Sequence, residues 1–343
     1  VRIAFLVGPV ATIQPTFAAI HLAWAAQHRG HQVRFVSPDD LSFLDDGTVV
    51  ATTLRVRAGD YRKPADYHRA LVSADAVRED DTLSGFEAVF IRYNPLREPP
   101  TSPPSPVLDF CRRLHLTGTF VINDPEGVFR AWGRLYLADL PPSVHARTLV
   151  SRSPDKIKTF LRELGQDAVL KPLAHAGREK VFRIRRGRSR NLNPIITAIT
   201  NQGYAVAQEY LREAEAGEKR LLLLGGEPIR DGNQVAIYRR LPGLGESPKV
   251  SMKRRRCAFG AAEERICDLL HPKLVADGLH FVSVDVAGGK ILELNAFCPG
   301  GIHSLREIYR MDVASVILAD LERRVRLRKA NRGIRDPKVA QVL

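Results

Sequence analysis

The sequence predicts an α/β protein of two or three packed units, and three observations carry that reading. The first 120 residues alternate short apolar strands with helical stretches, the succession of an open α/β sheet whose ligands sit beyond the C-terminal strand ends. Two later segments, "KRLLLLGGEPI" and "FVSVDVAGGKILELN", set Gly-Gly pairs between apolar runs, as antiparallel hairpins do. A chain of 343 residues, 44% hydrophobic and 26% charged, has the length and composition of a globular protein with more than one core.

Taken in order, "RIAFLV" is a first strand and "FAAIHLAWAAQHRG" a helix closed by Gly30. Pro9 interrupts the apolar start, which favours strand then helix over a signal peptide. "HQVRFVS", "EAVFIRY" and "TFVIN" follow as strands, with a Pro-rich loop at 97–106. After "VINDPEG" comes a short helix carrying Arg134. In "SRSPDKIKTFLRELG" Ser153 caps a helix, Pro154 opens its first turn and Gly165 ends it. The strands "DAVLKP", ending near Lys171, and "YAVAQEYL" precede the hairpin at Gly225-Gly226. Residues 243–260 read as irregular and basic. The helix "AEERICDLLHPKLVADG" leads into the last hairpin, "DVASVILADLERRVRL" is a closing helix, and the last dozen residues read as a loose tail.

Composition narrows the function classes. No apolar run reaches the roughly 18 residues of a membrane span. Cys111, Cys257, Cys267 and Cys298 show no CxxC spacing, which fits reduced thiols in a cytoplasm and gives structural zinc no support. The net charge of +14 is spread along the chain, with clusters only at 183–190, 253–257 and 323–329. No recognition helix or aromatic RNA-binding motif accompanies it, so the surplus is assigned to anionic small molecules rather than nucleic acid.

Residues 281–295 set Asp285, Glu293 and Asn295 into apolar surroundings. A two-residue loop at Gly288-Gly289 would pair Asp285 with Leu292 and leave Glu293 on the opposite face. A three-residue loop, 288–290, would pair Asp285 with Glu293 and put Asn295 on the same face. The three oxygen-bearing groups would then call for a cation, and Mg²⁺ carrying nucleotide phosphates suits hard oxygen donors. A surface hairpin with solvated acids is the other reading.

In sequence order, "AVLKP", "AQEYL", "GEKRLLLLGGEPI" and "VSVDVAGGKILELN" resemble the motifs of the ATP-grasp superfamily, in the form found in bacterial-type glutathione synthetases. The resemblance covers most of the chain. It implies an ATP-grasp fold, two α+β lobes clasping ATP behind an N-terminal open α/β domain. The bounds would be 1–122 for that domain, 123–206 and 207–326 for the lobes, and 327–343 for a basic tail. The activity it implies is an ATP- and Mg²⁺-dependent ligase, with Mn²⁺ as an alternative metal. A dipeptide carboxylate, that of γ-glutamylcysteine, becomes an acyl phosphate that an amino-acid amine, that of glycine, attacks. Glutathione, ADP and phosphate result, and a cytoplasmic homo-oligomer is implied.

Carried over by position, Asp285, Glu293 and Asn295 match metal ligands and Lys171 the lysine that meets the phosphates. Gln208, Glu209, Tyr210 and Leu211 match the adenine-receiving linker, Glu218 the ribose acid, and Arg220 the cation at the acyl phosphate. Such a constellation suits phosphoryl transfer, which is chiefly positioning and charge neutralisation.

Four departures accompany the match. Arg134 stands where a phosphate-binding lysine is usual. The phosphate-covering loop "LAHAGREKVF" keeps only Gly177, so His175, Arg178 or Lys180 would substitute side-chain contacts. Pro248 and Val250 stand where an arginine and an asparagine are usual. In "NAFCPGGIHSLRE", Gly300-Gly301 after Cys298 read as a backbone nest for a substrate carboxylate, while Cys298 alone also reads as a packing residue. Lys253 and Arg254 join Arg178, Lys180 and Arg220 as candidates for the rim of the cleft. A related ligase with another donor or acceptor, and a catalytically weakened nucleotide-binding protein, remain alternatives.

Overall fold

The computed structural model describes residues 1–93, 106–131, 134–173, 181–187, 191–241 and 253–330. The N-terminal part runs β1 (Arg2–Val7), α1 (Ala18–His28), β2 (Gln32–Val36), β3 (Leu41–Phe43), β4 (Val49–Arg55), α2 (Pro64–Leu71), β5 (Val77–Thr82), β6 (Ala88–Arg92), α3 (Pro106–Leu116), β7 (Phe120–Ile122) and α4 (Pro125–Arg130). β2, β1, β6 and β7 lie side by side in parallel, the open sheet the alternating pattern predicts. β3, β4 and β5 extend it antiparallel, which the strand-helix reading did not anticipate. The sequence of β5, "VREDDT", has no apolar run. Its acids are matched instead by Arg34, 2.9 Å from Asp81, and by Thr53, whose hydroxyl donates to Asp81 at 2.7 Å.

The middle lobe runs β8 (Thr148–Ser151), α5 (Pro154–Leu164), β9 (Ala168–Pro172), β10 (Phe182–Ile184), α6 (Leu192–Thr200) and β11 (Ala205–Glu209). Its antiparallel sheet has the order β10-β9-β11-β8. The stops of α5 follow the sequence: the Ser153 hydroxyl accepts from the Lys156 amide, Pro154 opens the helix, and Gly165 ends it in the left-handed region at φ +67°. Ile157, Leu170, Ile196 and Ile199 anchor a core of this lobe's own.

The remainder runs β12 (Glu218–Leu224), β13 (Glu227–Pro228), β14 (Arg230–Asp231), β15 (Gln234–Val235), β16 (Ile237–Arg240), β17 (Arg254–Arg255), α7 (Ala261–Ala276), β18 (Phe281–Ala287), β19 (Lys290–Asn295), α8 (Ile302–Tyr309) and α9 (Val313–Ala330). β17-β16-β12-β18-β19, with β13 beside β12, form a six-stranded antiparallel sheet. In the last hairpin Ala287 pairs with Lys290, so the loop is the two-residue one, with Gly288 at φ +56° and Gly289 at φ +72°. A bulge between Asp285 and Val286 then shifts the register. Val286 faces Ile291 and Asp285 faces Glu293, so the short loop does not separate the acids.

This last lobe is joined to the N-terminal domain through two shared cores. One packs Phe5, Ile20 and Leu22 with Phe281, Leu305 and Leu318. The other packs Leu6 and Val89 with Leu221, Val282 and Val284. Asn123, buried at the end of β7, donates to the carbonyls of Phe281 (2.7 Å) and Ala296 (2.6 Å) and accepts from the Phe281 amide (2.6 Å). Beside it Gly127 is required, since a Cβ there would lie 1.8 Å from the Asp277 carbonyl oxygen.

Candidate active site

Strand pairing builds a charged face on the six-stranded sheet. Tyr238, Arg220, Asp285 and Glu293 form one register row across β16, β12, β18 and β19. Two residues along, Glu218 faces Arg240 and Ser283 faces Asn295, and the period of two puts these on the same side. Asp285 is 2% exposed. Arg220 grips it with both prongs, Nε to Oδ1 at 2.8 Å and Nη2 to Oδ2 at 2.7 Å. Arg240 Nη2 donates to the same Oδ2 at 2.5 Å and to Glu218 at 2.6 Å.

Burial pushes the Asp285 carboxyl upward, but the charges and hydrogen bonds of Arg220 and Arg240 outweigh it and hold the group below its ordinary range. The converse holds for Arg220, where burial lowers the guanidinium and Asp285 raises it further. Glu293 is half-buried, with no hydrogen bond or ion pair among the described residues. Asn295 Oδ1 accepts from the Cys298 amide at 3.0 Å, fixing the loop that leads to Gly300 and Gly301. A Cβ on Gly300 would lie 3.8 Å from Arg220 Nη1, so this Gly-Gly, which enters α8, stands beside the charged face.

A second set lies on the middle lobe. Lys171, 8% exposed, donates through Nζ to Gln208 Oε1 at 2.8 Å, and Gln208 Nε2 donates to Thr148 at 2.9 Å. Glu209, 6% exposed, pairs with Lys290 of the last hairpin and so ties the two lobes. Tyr210 donates its amide to the Asp167 carbonyl at 2.9 Å and receives the Arg183 guanidinium 3.9 Å from its ring centre. Burial pushes its hydroxyl pKa up. Leu211, nearly buried, follows as the chain crosses to β12.

The structure therefore gathers Arg220, Asp285, Glu293, Asn295 and Glu218 on one face, and Lys171 with Gln208 on the other lobe. Lys253 and Arg254 are exposed. His175, Gly177, Arg178, Lys180, Pro248 and Val250 lie outside the described residues, as does the side chain of Arg134, whose backbone begins a 3₁₀ helix, Arg134–Asp139. Sequence reading missed Arg240 and Lys290. Arg240 was available from the period of two counted from Tyr238. Lys290 was assigned to the loop.

Among the described residues, no three His, Cys, Asp or Glu side chains converge on one point. Asp285, Glu293 and the Asn295 amide oxygen provide two carboxylates and a carbonyl. That donor set suits Mg²⁺, which is commonly held by one or two carboxylates with phosphates and water completing its shell.

A family profile described as prokaryotic glutathione synthetase, ATP-grasp domain, matches residues 133–310, and its N-terminal-domain counterpart matches 1–129. The glutathione synthetase of Synechococcus elongatus is 32% identical over 329 residues, 94% of this chain and 98% of that one. That of Vibrio vulnificus is 27% identical, covering 95% and 98%. Among solved structures, the D-cycloserine synthetase DcsG superposes with a TM-score of 0.63 at 19% identity, covering 94% of this chain and 99% of that one. The macrocyclase MdnC from Microcystis aeruginosa does so at 0.59 and 14%, covering 94% and 100%. At these identities the structural likeness speaks for the fold.

Proposed function

The chain belongs to the prokaryotic glutathione synthetase family and is an ATP-dependent ligase that forms a C–N bond; from that premise we propose that it joins γ-glutamylcysteine to glycine through an acyl phosphate. The observation that carries this reading is the register row Arg220–Asp285–Glu293, a paired cation and two carboxylates held on one sheet face beside a Gly-Gly helix entry. The four-stranded unit, β8 to β11, and the six-stranded unit that follows it would be the clasping lobes.

Each side chain has a task that its surroundings support. Lys171, oriented by Gln208, meets the nucleotide phosphates, and the segment Gln208–Leu211 receives adenine where the chain passes between the lobes. Glu218, held by Arg240, accepts from the ribose hydroxyls. Arg220 steadies the negative charge of the acyl phosphate, and the amides at Gly300-Gly301 receive a substrate carboxylate. Asp285, Glu293 and Asn295 would hold Mg²⁺, which when bound neutralises charge on the transferring phosphoryl group. No disulfide joins the four cysteines, in keeping with a reducing cytoplasm. A homo-oligomer completes the reading.

The test is ADP release against a panel of dipeptide donors and amino-acid acceptors, with products identified by mass. Glutathione as the product of the most efficient pair is the expected result. An efficient amide product from another pair, with γ-glutamylcysteine inert, would reject the substrate assignment.

A further inference from the structure

Arg92, the last residue of β6, carries a cation that meets no carboxylate among the described residues. Its Nη2 donates to the Pro299 carbonyl at 2.8 Å, while Nε and Nη1 are shut off from solvent and have no hydrogen-bond partner among the described residues. The guanidinium lies 5.8 Å from the centre of the Phe281 ring. Burial alone pulls it below the ordinary arginine range, with only a minor opposing influence from Cys298. Arg220 and Arg240, by contrast, are both matched by Asp285. Guanidinium donors taken out of water without a counter-charge are costly, and folds normally supply a carboxylate against them.

Its position shows what could supply that charge. β1, β6 and β7 are parallel, and Arg92 stands at their C-terminal end, where open α/β sheets hold ligands. It grips Pro299, one residue before the Gly-Gly that passes beside Arg220, so Arg92 and Arg220 flank one loop. The crevice around Arg92, lined by Asn123, Phe281, Phe297 and Pro299 among others, is too tight to admit water. An incoming anion therefore requires the Pro299–Gly301 segment to yield, and consecutive glycines make that segment pliable.

We propose that Arg92 is a substrate-binding residue contributed by the N-terminal domain, and that its unmatched Nε and Nη1 receive a non-reacting carboxylate of the substrates. The proposal deepens the ligase reading above and rests on it. The carboxylate belongs either to the dipeptide donor or to the amino-acid acceptor, and both offer the same planar, bidentate acceptor to a guanidinium.

The experiment is calorimetric titration of the full chain, saturated with a non-hydrolysable ATP analogue and Mg²⁺. The titrants are γ-glutamylcysteine, the analogue amidated at its glutamyl α-carboxyl, glycine and glycinamide, each against wild type, Arg92→Met and Arg92→Lys. In wild type, amidating the recognised carboxylate should weaken binding about 10- to 100-fold. In Arg92→Met the same amidation should matter less than about twofold, and Arg92→Lys should fall between. The arm that loses its discrimination identifies the donor or the acceptor as the carboxylate's source. Unchanged ATP-analogue affinity certifies the fold of each variant; if Arg92→Met fails that check, the comparison is made with Arg92→Lys. Full discrimination surviving in both arms of a folded variant overturns the proposal. So does an equal loss for acids and amides. Discrimination that depends on Arg92, in a protein that makes no glutathione, would refute the reaction assigned above and leave the carboxylate site standing.

Discussion

The two lobes that flank the chain crossing at Glu209 to Glu218 are held in opposite ways. The four-stranded lobe keeps a hydrophobic core of its own, and among the described residues an ion pair of Glu209 with Lys290 ties it to the last hairpin. The six-stranded lobe has no such independence. It shares two cores with the N-terminal domain, is pinned by Asn123, and is braced by α9, whose Glu322 meets Arg29 (2.8 Å) and His31 (2.8 Å). Arg220, Asp285 and Glu293 therefore sit on the braced body, and Lys171 on the freer one. Under the proposed function, that difference would give alignment of the reacting groups to the rigid frame and closure over the nucleotide to the four-stranded lobe.

The largest break in that comparison should come from Asp285→Ala. It strands Arg220 and Arg240 beside a vacated site, and removal of one partner from a buried ion pair costs about 3–5 kcal/mol. Urea unfolding followed by tryptophan fluorescence measures it, and a loss below about 1 kcal/mol would mean the arginines are solvated after all. Asn123→Ala comes next. It leaves the Phe281 amide and two carbonyls without their partner, for about 3 kcal/mol. Hydrogen exchange should rise in β18 and spare β9 and β11; equal loss in all three would show the lobes to be one cooperative unit.

A double-mutant cycle of Lys290→Met with Glu209→Gln should give a coupling of about 1 kcal/mol, kept small because Lys290 is partly exposed. Faster exchange in 205–211 should accompany it. The smallest effect concerns acid. The hydrogen bond from Arg29, with that of His31 and against a modest burial effect, lowers Glu322 to about 2. A depressed carboxyl contributes stability that is fully present above its unfolded value of about 4.3 and is lost as pH falls through the folded one. Melting temperature should thus decline between about pH 4 and pH 2, and Glu322→Gln should flatten the decline. An unaltered acid slope in that variant would remove Glu322 from the brace.

Sequence alone carried the open α/β sheet and the helix stops at Ser153 and Gly165, each set by local pattern, and left the pairing of Asp285 with Glu293 open, offering it only through a three-residue loop that the structure does not have. It did not carry the bulge that produces that pairing, because a bulge depends on cross-strand fit and leaves no residue signature in "GGKILELN". β5 was hidden because its burial rests on Arg34 and Thr53 from distant strands rather than on its own apolar content. Arg92 and Arg240 look like ordinary strand-end arginines until the fold shuts Nε and Nη1 of the one away from solvent and sets the other against Asp285.

The central claim, that the face of Asp285, Glu293 and Asn295 receives the metal-nucleotide, is tested most directly by titrating ATP with and without Mg²⁺ into wild type and Glu293→Gln. Glu293 has no hydrogen bond or ion pair among the described residues, so the variant should fold as wild type does, within about 0.5 kcal/mol. Mg²⁺ should tighten ATP binding in wild type and have little effect in the variant, whose turnover should be abolished. Equal tightening by Mg²⁺ in both proteins, with turnover retained, would contradict the account.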